Sequence, residues 1–195
     1  MENTSLFVIH GAWSTSNTFN CLVNTLKDTP VYKFDYDCHQ YTLSEIVKQA
    51  KKALTKINGS TIIIGHSLGG IIALSLEQEP SVKKVITVAS PIAGLKFPKL
   101  AEAFLSYRAP IISDIVQDSR FMINLKKKKF TKEIKILVSN MGYNPMILEK
   151  NDGVVTISSQ TSWVPNNADI IHIDANHHEI LQTKEFIETV INNLG

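Results

Sequence analysis

At 195 residues the chain is long enough to bury a full-sized apolar core. Its 44% hydrophobic and 19% charged residues are the balance of a globular protein and exclude a disordered or fibrous chain. A formal net charge of +2 gives no ground for a nucleic-acid partner, and no apolar run approaches the about 20 residues of a membrane-spanning helix.

Short β-branched runs alternate with helical periods, the pattern of a parallel sheet covered on both faces. Residues 5–10 read as the first strand. Phe19, Leu22, Val23 and Leu26 follow at helical spacing until Pro30 stops them. Residues 31–36 read as a second strand. Leu43, Ile46, Val47, Ala50, Leu54 and Ile57 form a helical stripe that Asn58-Gly59 ends. Residues 61–64 are a third strand, followed by a helix reaching towards Pro80, and residues 82–89 a fourth strand. Residues 92–131 carry Pro98, Pro110, mixed polarity and no strand, as a helical insertion or a lid would. Residues 134–139 resume the sheet and 170–173 end it. Phe186, Ile187, Val190, Ile191 and Leu194 mark a closing helix. One domain over 1–195 is expected.

Cys21 and Cys38 are too few for a disulfide scaffold and lie in no metal-ligand spacing. Both read as free thiols. With no basic n-region and apolar h-region at the N-terminus, the expected location is the cytoplasm, a processed secreted form being the alternative. The run Lys126-Lys127-Lys128-Lys129 reads as a solvated helix end or loop; its alternative is a patch that meets an anionic surface.

The chemistry concentrates at Gly65-His66-Ser67-Leu68-Gly69, which follows Ile62-Ile63-Ile64 and precedes Gly70-Ile71-Ile72-Ala73-Leu74. This is G-x-S-x-G in the order strand, sharp turn, helix, which exposes a serine Oγ at the carboxyl edge of a sheet. The alternative is a glycine-rich turn between a buried strand and helix. A serine hydroxyl needs a base to take its proton and a carboxylate to orient that base. On such an elbow both follow the serine in the chain. Glu149, Asp152, Asp169 and Asp174 are candidate acids. Asp152 is preferred, because Asn151-Asp152-Gly153 is a turn followed by apolar residues that turn a carboxylate inward. The base belongs just past the last strand, at His177 or the adjacent His178, with His177 preferred. His172 lies within the strand and His39 on a surface loop. Oxyanion donors are expected from the N–H of Leu68 and, after the first strand, of Ala12 behind His10-Gly11. His10 and His66 are expected to brace loops.

On these residues the chain resembles the α/β-hydrolases, and within them the small bacterial lipases and esterases. Val8-Ile9-His10-Gly11, the elbow through Gly70 and Ala89-Ser90-Pro91 match that family. Asn151-Asp152-Gly153-Val154-Val155 resembles the acid loop of bacterial triacylglycerol lipases, and Asn176-His177 their histidine loop, which puts the base on His177. Members usually begin with two further antiparallel strands. This chain starts at the strand before the oxyanion loop, so the resemblance implies a minimal fold of about six mostly parallel strands with helices on both faces. The insertion implies a modest lid or none.

The expected activity is that of a serine hydrolase acting on a small-molecule or lipid carboxylic ester, through a Ser67–Asp152–His177 triad and an acyl-enzyme. No cofactor, metal or nucleic-acid partner is expected. Amidase, peptidase or thioesterase action, or a non-catalytic ligand-binding role, are the alternatives. Trp13, Phe104 and Ile112 are expected to contact substrate. Phe97, Leu100, Leu105, Ile111 and Phe121 would join them if the insertion covers an acyl chain rather than packing on the sheet.

Overall fold

A computed structural model describes residues 4–96 and 111–194. Six strands form one sheet in the order β2-β1-β3-β4-β5-β6. They are β1 (Thr4–Ile9), β2 (Val31–Phe34), β3 (Ser60–His66), β4 (Val82–Val88), β5 (Glu133–Ser139) and β6 (Ala168–Ile173). Every pairing is parallel. The described helices are α1 (Asn20–Thr25), α2 (Leu43–Leu54), α3 (Leu68–Ser75), α4 (Ile111–Asp114), α5 (Arg120–Lys126), α6 (Ile157–Thr161) and α7 (Lys184–Asn192). Short 3-10 turns at Ser16–Phe19 and Glu179–Gln182 complete them.

The unbroken apolar runs of the inner strands follow from burial on both faces. Along β1, Phe7 and Ile9 pack with α2 and α3 through Leu43, Ile46, Ile71 and Leu74. Leu6 and Val8 point the other way, into a cluster with Phe19, Leu22, Ile180, Phe186 and Val190. Ile63 of β3 joins the first cluster, and Ile62 and Ile64 the second. A side-chain period of two thus divides one apolar run between two cores. The edge strands β2 and β6 show exposed residues along their length.

Helix starts are chemically marked. Thr42 and Glu45 form a reciprocal capping box on α2, and Ser119, Thr156 and Thr183 cap α5, α6 and α7. The lysine run closes α5. Lys128 Nζ donates to the Ser75 carbonyl at the end of α3, where a cation complements the helix dipole. Lys127 and Lys129 are exposed. Cys21 and Cys38 are free thiols, exposed and buried respectively. No helix among the described residues is long and apolar enough to cross a membrane.

The strand order sets where a ligand can lie. From β1 the chain passes outward to β2, then crosses back to β3 and proceeds through β4, β5 and β6. The loops after β1 and β3 therefore diverge and leave a crevice at the carboxyl ends of these neighbours. Those loops are the ones that begin with His10-Gly11 and with Ser67.

Candidate active site

Ser67 joins β3 directly to α3, with φ 53° and ψ −121°. This left-handed φ is costly for a residue with a Cβ and persists only where its surroundings enforce it. Two hydrogen bonds and two steric constraints do so. The Ser67 N–H donates to the Val88 carbonyl of β4 at 2.8 Å, and the Gly70 N–H returns to the Ser67 carbonyl at 3.0 Å. A Cβ at Gly65 would overlap the Gly69 backbone, and one at Gly69 would overlap the carbonyls of Ile9 and His10. Helix α3 can thus start against the ends of β1 and β3 only because both positions are glycine. Trp13 and Ala89, at the ends of β1 and β4, also have left-handed φ, of 53° and 49°. All three strained non-glycine residues among the described residues sit on one edge of the sheet.

Asp152 and His177 reach that edge from the loops after β5 and β6. Asp152 is 0% exposed and His177 3%. His177 Nδ1 lies 2.7 Å from Asp152 Oδ2. A carboxylate can only accept, so Nδ1 carries the hydrogen and, in the neutral ring, Nε2 keeps the lone pair. The His177 N–H also donates to the Asp152 carbonyl at 3.0 Å, so backbone and side chain join the two loops. Asp152 Oδ1 accepts the N–H groups of Val154 at 3.0 Å and Val155 at 2.7 Å. The inward turn expected at Asn151-Asp152-Gly153 has this origin.

His66 ties the elbow to the histidine loop. Its Nε2–H donates to the His177 carbonyl at 2.8 Å, and the two rings are 4.8 Å apart. Its Nδ1 is buried without a partner. Burial first, and the neighbouring His177 second, push the His66 pKa from 6.5 down to about 3. The unfolded chain therefore binds a proton below 6.5 that the folded protein refuses. His66 makes stability fall as the pH drops from 6.5 towards 3, by at most ~1.4 kcal/mol per pH unit. His10, lowered mainly by burial, acts in the same sense. Urea midpoints measured from pH 7 to pH 4 should decline, and less steeply in His66→Asn. An unchanged slope in that variant would exclude His66 as a source.

The loop after β1 is held from β2. His10 Nδ1–H donates to the Gly11 carbonyl at 2.7 Å, and Nε2 accepts the Tyr36 N–H at 3.3 Å. The Tyr36 ring stacks on His10 at 4.3 Å, and its hydroxyl donates to the His10 carbonyl. Fixing the Gly11 carbonyl on one side turns the Ala12 N–H of the same trans peptide to the other. A Cβ on Gly11 would come 3.0 Å from Ser67 Cβ and 3.5 Å from Oγ, so this loop passes directly over the serine.

The other sequence candidates lie elsewhere or do other work. Glu149 accepts the Ser158 hydroxyl on an exposed loop, and Asp169 pairs with Lys135 where β6 begins. Asp174, His172 and His39 are exposed. His178 is exposed, with its N–H on the Asn176 side chain and its ring 5.2 Å from that of His177. Leu68, buried, opens α3. Trp13 is 60% exposed beside the crevice, its N–H on Cys38 Sγ. Ile112 is 4% exposed within the α2–α3 core, and Ile111 accompanies it. Phe97, Leu100, Phe104 and Leu105 fall outside the described residues. No cluster of His, Cys, Asp and Glu suited to a metal occurs among the described residues. Sequence reasoning missed Tyr36 and Gln160. Tyr36, at the end of a strand facing His10, carried a weak signal; Gln160, on a five-residue helix, carried none.

Residues 6–141 match the model of the alpha/beta hydrolase family. No curated protein sequence matches the chain. Several solved structures resemble it throughout. A Listeria innocua gene product is 18% identical over 96% of this chain and 92% of its own, with a TM-score of 0.66. The monoacylglycerol lipase of Paleococcus ferrophilus is 15% identical over 100% and 96%, with a TM-score of 0.72. A lipase-esterase related protein from Clostridium acetobutylicum is 18% identical over 97% and 94%, with a TM-score of 0.65. At such identities the likeness is one of fold.

Proposed function

The chain belongs to the alpha/beta hydrolase family, and from that membership we propose that it is a serine hydrolase cleaving a carboxylic ester through an acyl-enzyme. What carries this reading is the buried Asp152–His177 pair, with Nδ1 protonated and Nε2 bare, at the same sheet edge as the strained Ser67. His177 Nε2 takes the Ser67 proton as Oγ attacks the ester carbonyl carbon. The N–H groups of Ala12 and Leu68 receive the negative charge that develops on the carbonyl oxygen. The imidazolium then protonates the departing alkoxide, leaving an acyl group on Ser67. Water, deprotonated by the same Nε2, attacks that acyl carbon; the acyl–Oγ bond breaks, Nε2 returns the proton to Ser67 Oγ, and the acid is released. Asp152 holds the ring in its tautomer throughout.

Two similar structures named as a lipase and as lipase-esterase related support an ester over an amide. Met141, Tyr143, Met146 and Leu148 are exposed on the loop that carries Asp152. A fluorophosphonate probe should label wild-type protein at Ser67 only. p-Nitrophenyl esters of graded chain length should then turn over, with the same probe blocking turnover. Absence of both labelling and turnover would favour a non-catalytic ligand-binding role.

A further inference from the structure

Gln160 is 0% exposed and belongs to α6, the helix that follows the acid loop. Its amide makes three hydrogen bonds, and their chemistry fixes which way it faces. The Ser139 N–H can only donate, and it donates to Oε1 at 3.0 Å. Nε2 therefore faces the Ser139 carbonyl at 3.1 Å and Asp152 Oδ2 at 3.2 Å. Both of these can only accept, so a flipped amide would lose every bond. Oδ2 is the same oxygen that accepts His177 Nδ1–H. Ser139 closes β5, and its hydroxyl donates to the Ala175 carbonyl on the way to His177.

A neutral glutamine thus touches the end of β5 and the carboxylate at once. With Val154, Val155 and His177 it brings the N–H donors on Asp152 to four. No lysine or arginine pairs with Asp152 among the described residues. Hydrogen bonds to a buried carboxylate favour its charged form and restrict its rotation. We propose that Gln160 is a positioning residue for the reaction: it holds the Asp152 carboxylate aimed at His177 Nδ1 without placing a competing cation beside the imidazolium. This rests on the Ser67–Asp152–His177 assignment made above.

Two variants test it on p-nitrophenyl acetate across pH 5–9. Gln160→Met keeps the volume and removes the donor. It should lower kcat by about 10- to 100-fold with KM within about twofold, the scale for residues that orient a site's groups from behind. Gln160→Glu is isosteric. At low pH its carboxyl is protonated and its single O–H can donate to Asp152, giving up only the bond to the Ser139 carbonyl, so kcat should stay near wild type. As that proton leaves, two carboxylates share one buried site, and kcat should fall along an alkaline limb the wild type lacks. The titratable group bonded to Asp152 is His177; the His66 and His178 rings stand behind it, 4.8 and 5.2 Å from the His177 ring. All three remain in both variants. A Gln160→Glu profile parallel to wild type, or an unchanged kcat in folded Gln160→Met, overturns the proposal. Should Gln160→Met not fold, the Gln160→Glu profile alone decides. Ser67→Ala separates the two readings: if it retains turnover, the triad assignment fails; if it is inactive while both Gln160 variants behave as wild type, only the role of Gln160 fails.

Discussion

Ser67→Ala is expected to lose ester turnover by roughly 10⁴- to 10⁶-fold, the scale of removing a triad nucleophile, while the protein stays folded. The fold should tolerate the change for three reasons. Alanine keeps the Cβ, so the left-handed backbone at φ 53° is no more strained than before. The serine side chain caps no helix N–H, so no donor of α3 is orphaned. The N–H bond to Val88, which pins the elbow to β4, belongs to the backbone and survives. Initial rates with p-nitrophenyl acetate and a urea melt of the same preparation would check both halves. More than a tenth of wild-type activity in folded protein would mean that the nucleophile is another group.

The second large effect separates two adjacent histidines. His177→Ala should lose activity on the same scale as Ser67→Ala, because Nε2 is the only base the proposed reaction uses. It should also cost about 1–3 kcal/mol of stability, since Asp152 remains buried with one donor fewer. His178 is exposed, and the loop is held through its backbone N–H, which alanine retains. His178→Ala should therefore stay within about threefold of wild type in kcat/KM, as surface changes commonly do. The opposite ranking would move the base to His178 and leave the buried Asp152–His177 bond a structural one.

The sequence was most readable where local chemistry and long-range packing ask for the same residues. At 61–74, β-branched residues, glycines and an apolar helix leave little choice but a strand, a tight turn and a buried helix. Asp152 and His177 were read onto the loops after the fifth and sixth strands, where they lie, because turn residues and strand ends are local signals. Gln160 was not readable: α6 spans only Ile157–Thr161, too short for periodicity, and its partners lie 21 and 8 residues away. Tyr36 stayed unassigned because its work depends on β2 pairing beside β1, a register that composition does not reveal. Ile112 looked like a pocket residue because apolar side chains in an insertion carry no mark of which way they face. It packs into the core beside α2 and α3. The helix expected to run towards Pro80 ends at Ser75, where the chain turns to hand Glu77 to the backbone N–H groups of Thr131 and Lys132.

The proposed triad is unevenly supported by the sheet. Ser67 hangs from β3, which has β1 on one side and β4 on the other. His177 hangs from β6, an edge strand bonded only to β5. Edges open at lower free energy than centres, in excursions far short of global unfolding. β6 is therefore expected to open on warming before the central strand β3, moving His177 while the elbow stays in place. Activity is then expected to fall below the melting temperature and to return on cooling, which residual-activity and unfolding curves recorded on one preparation would check.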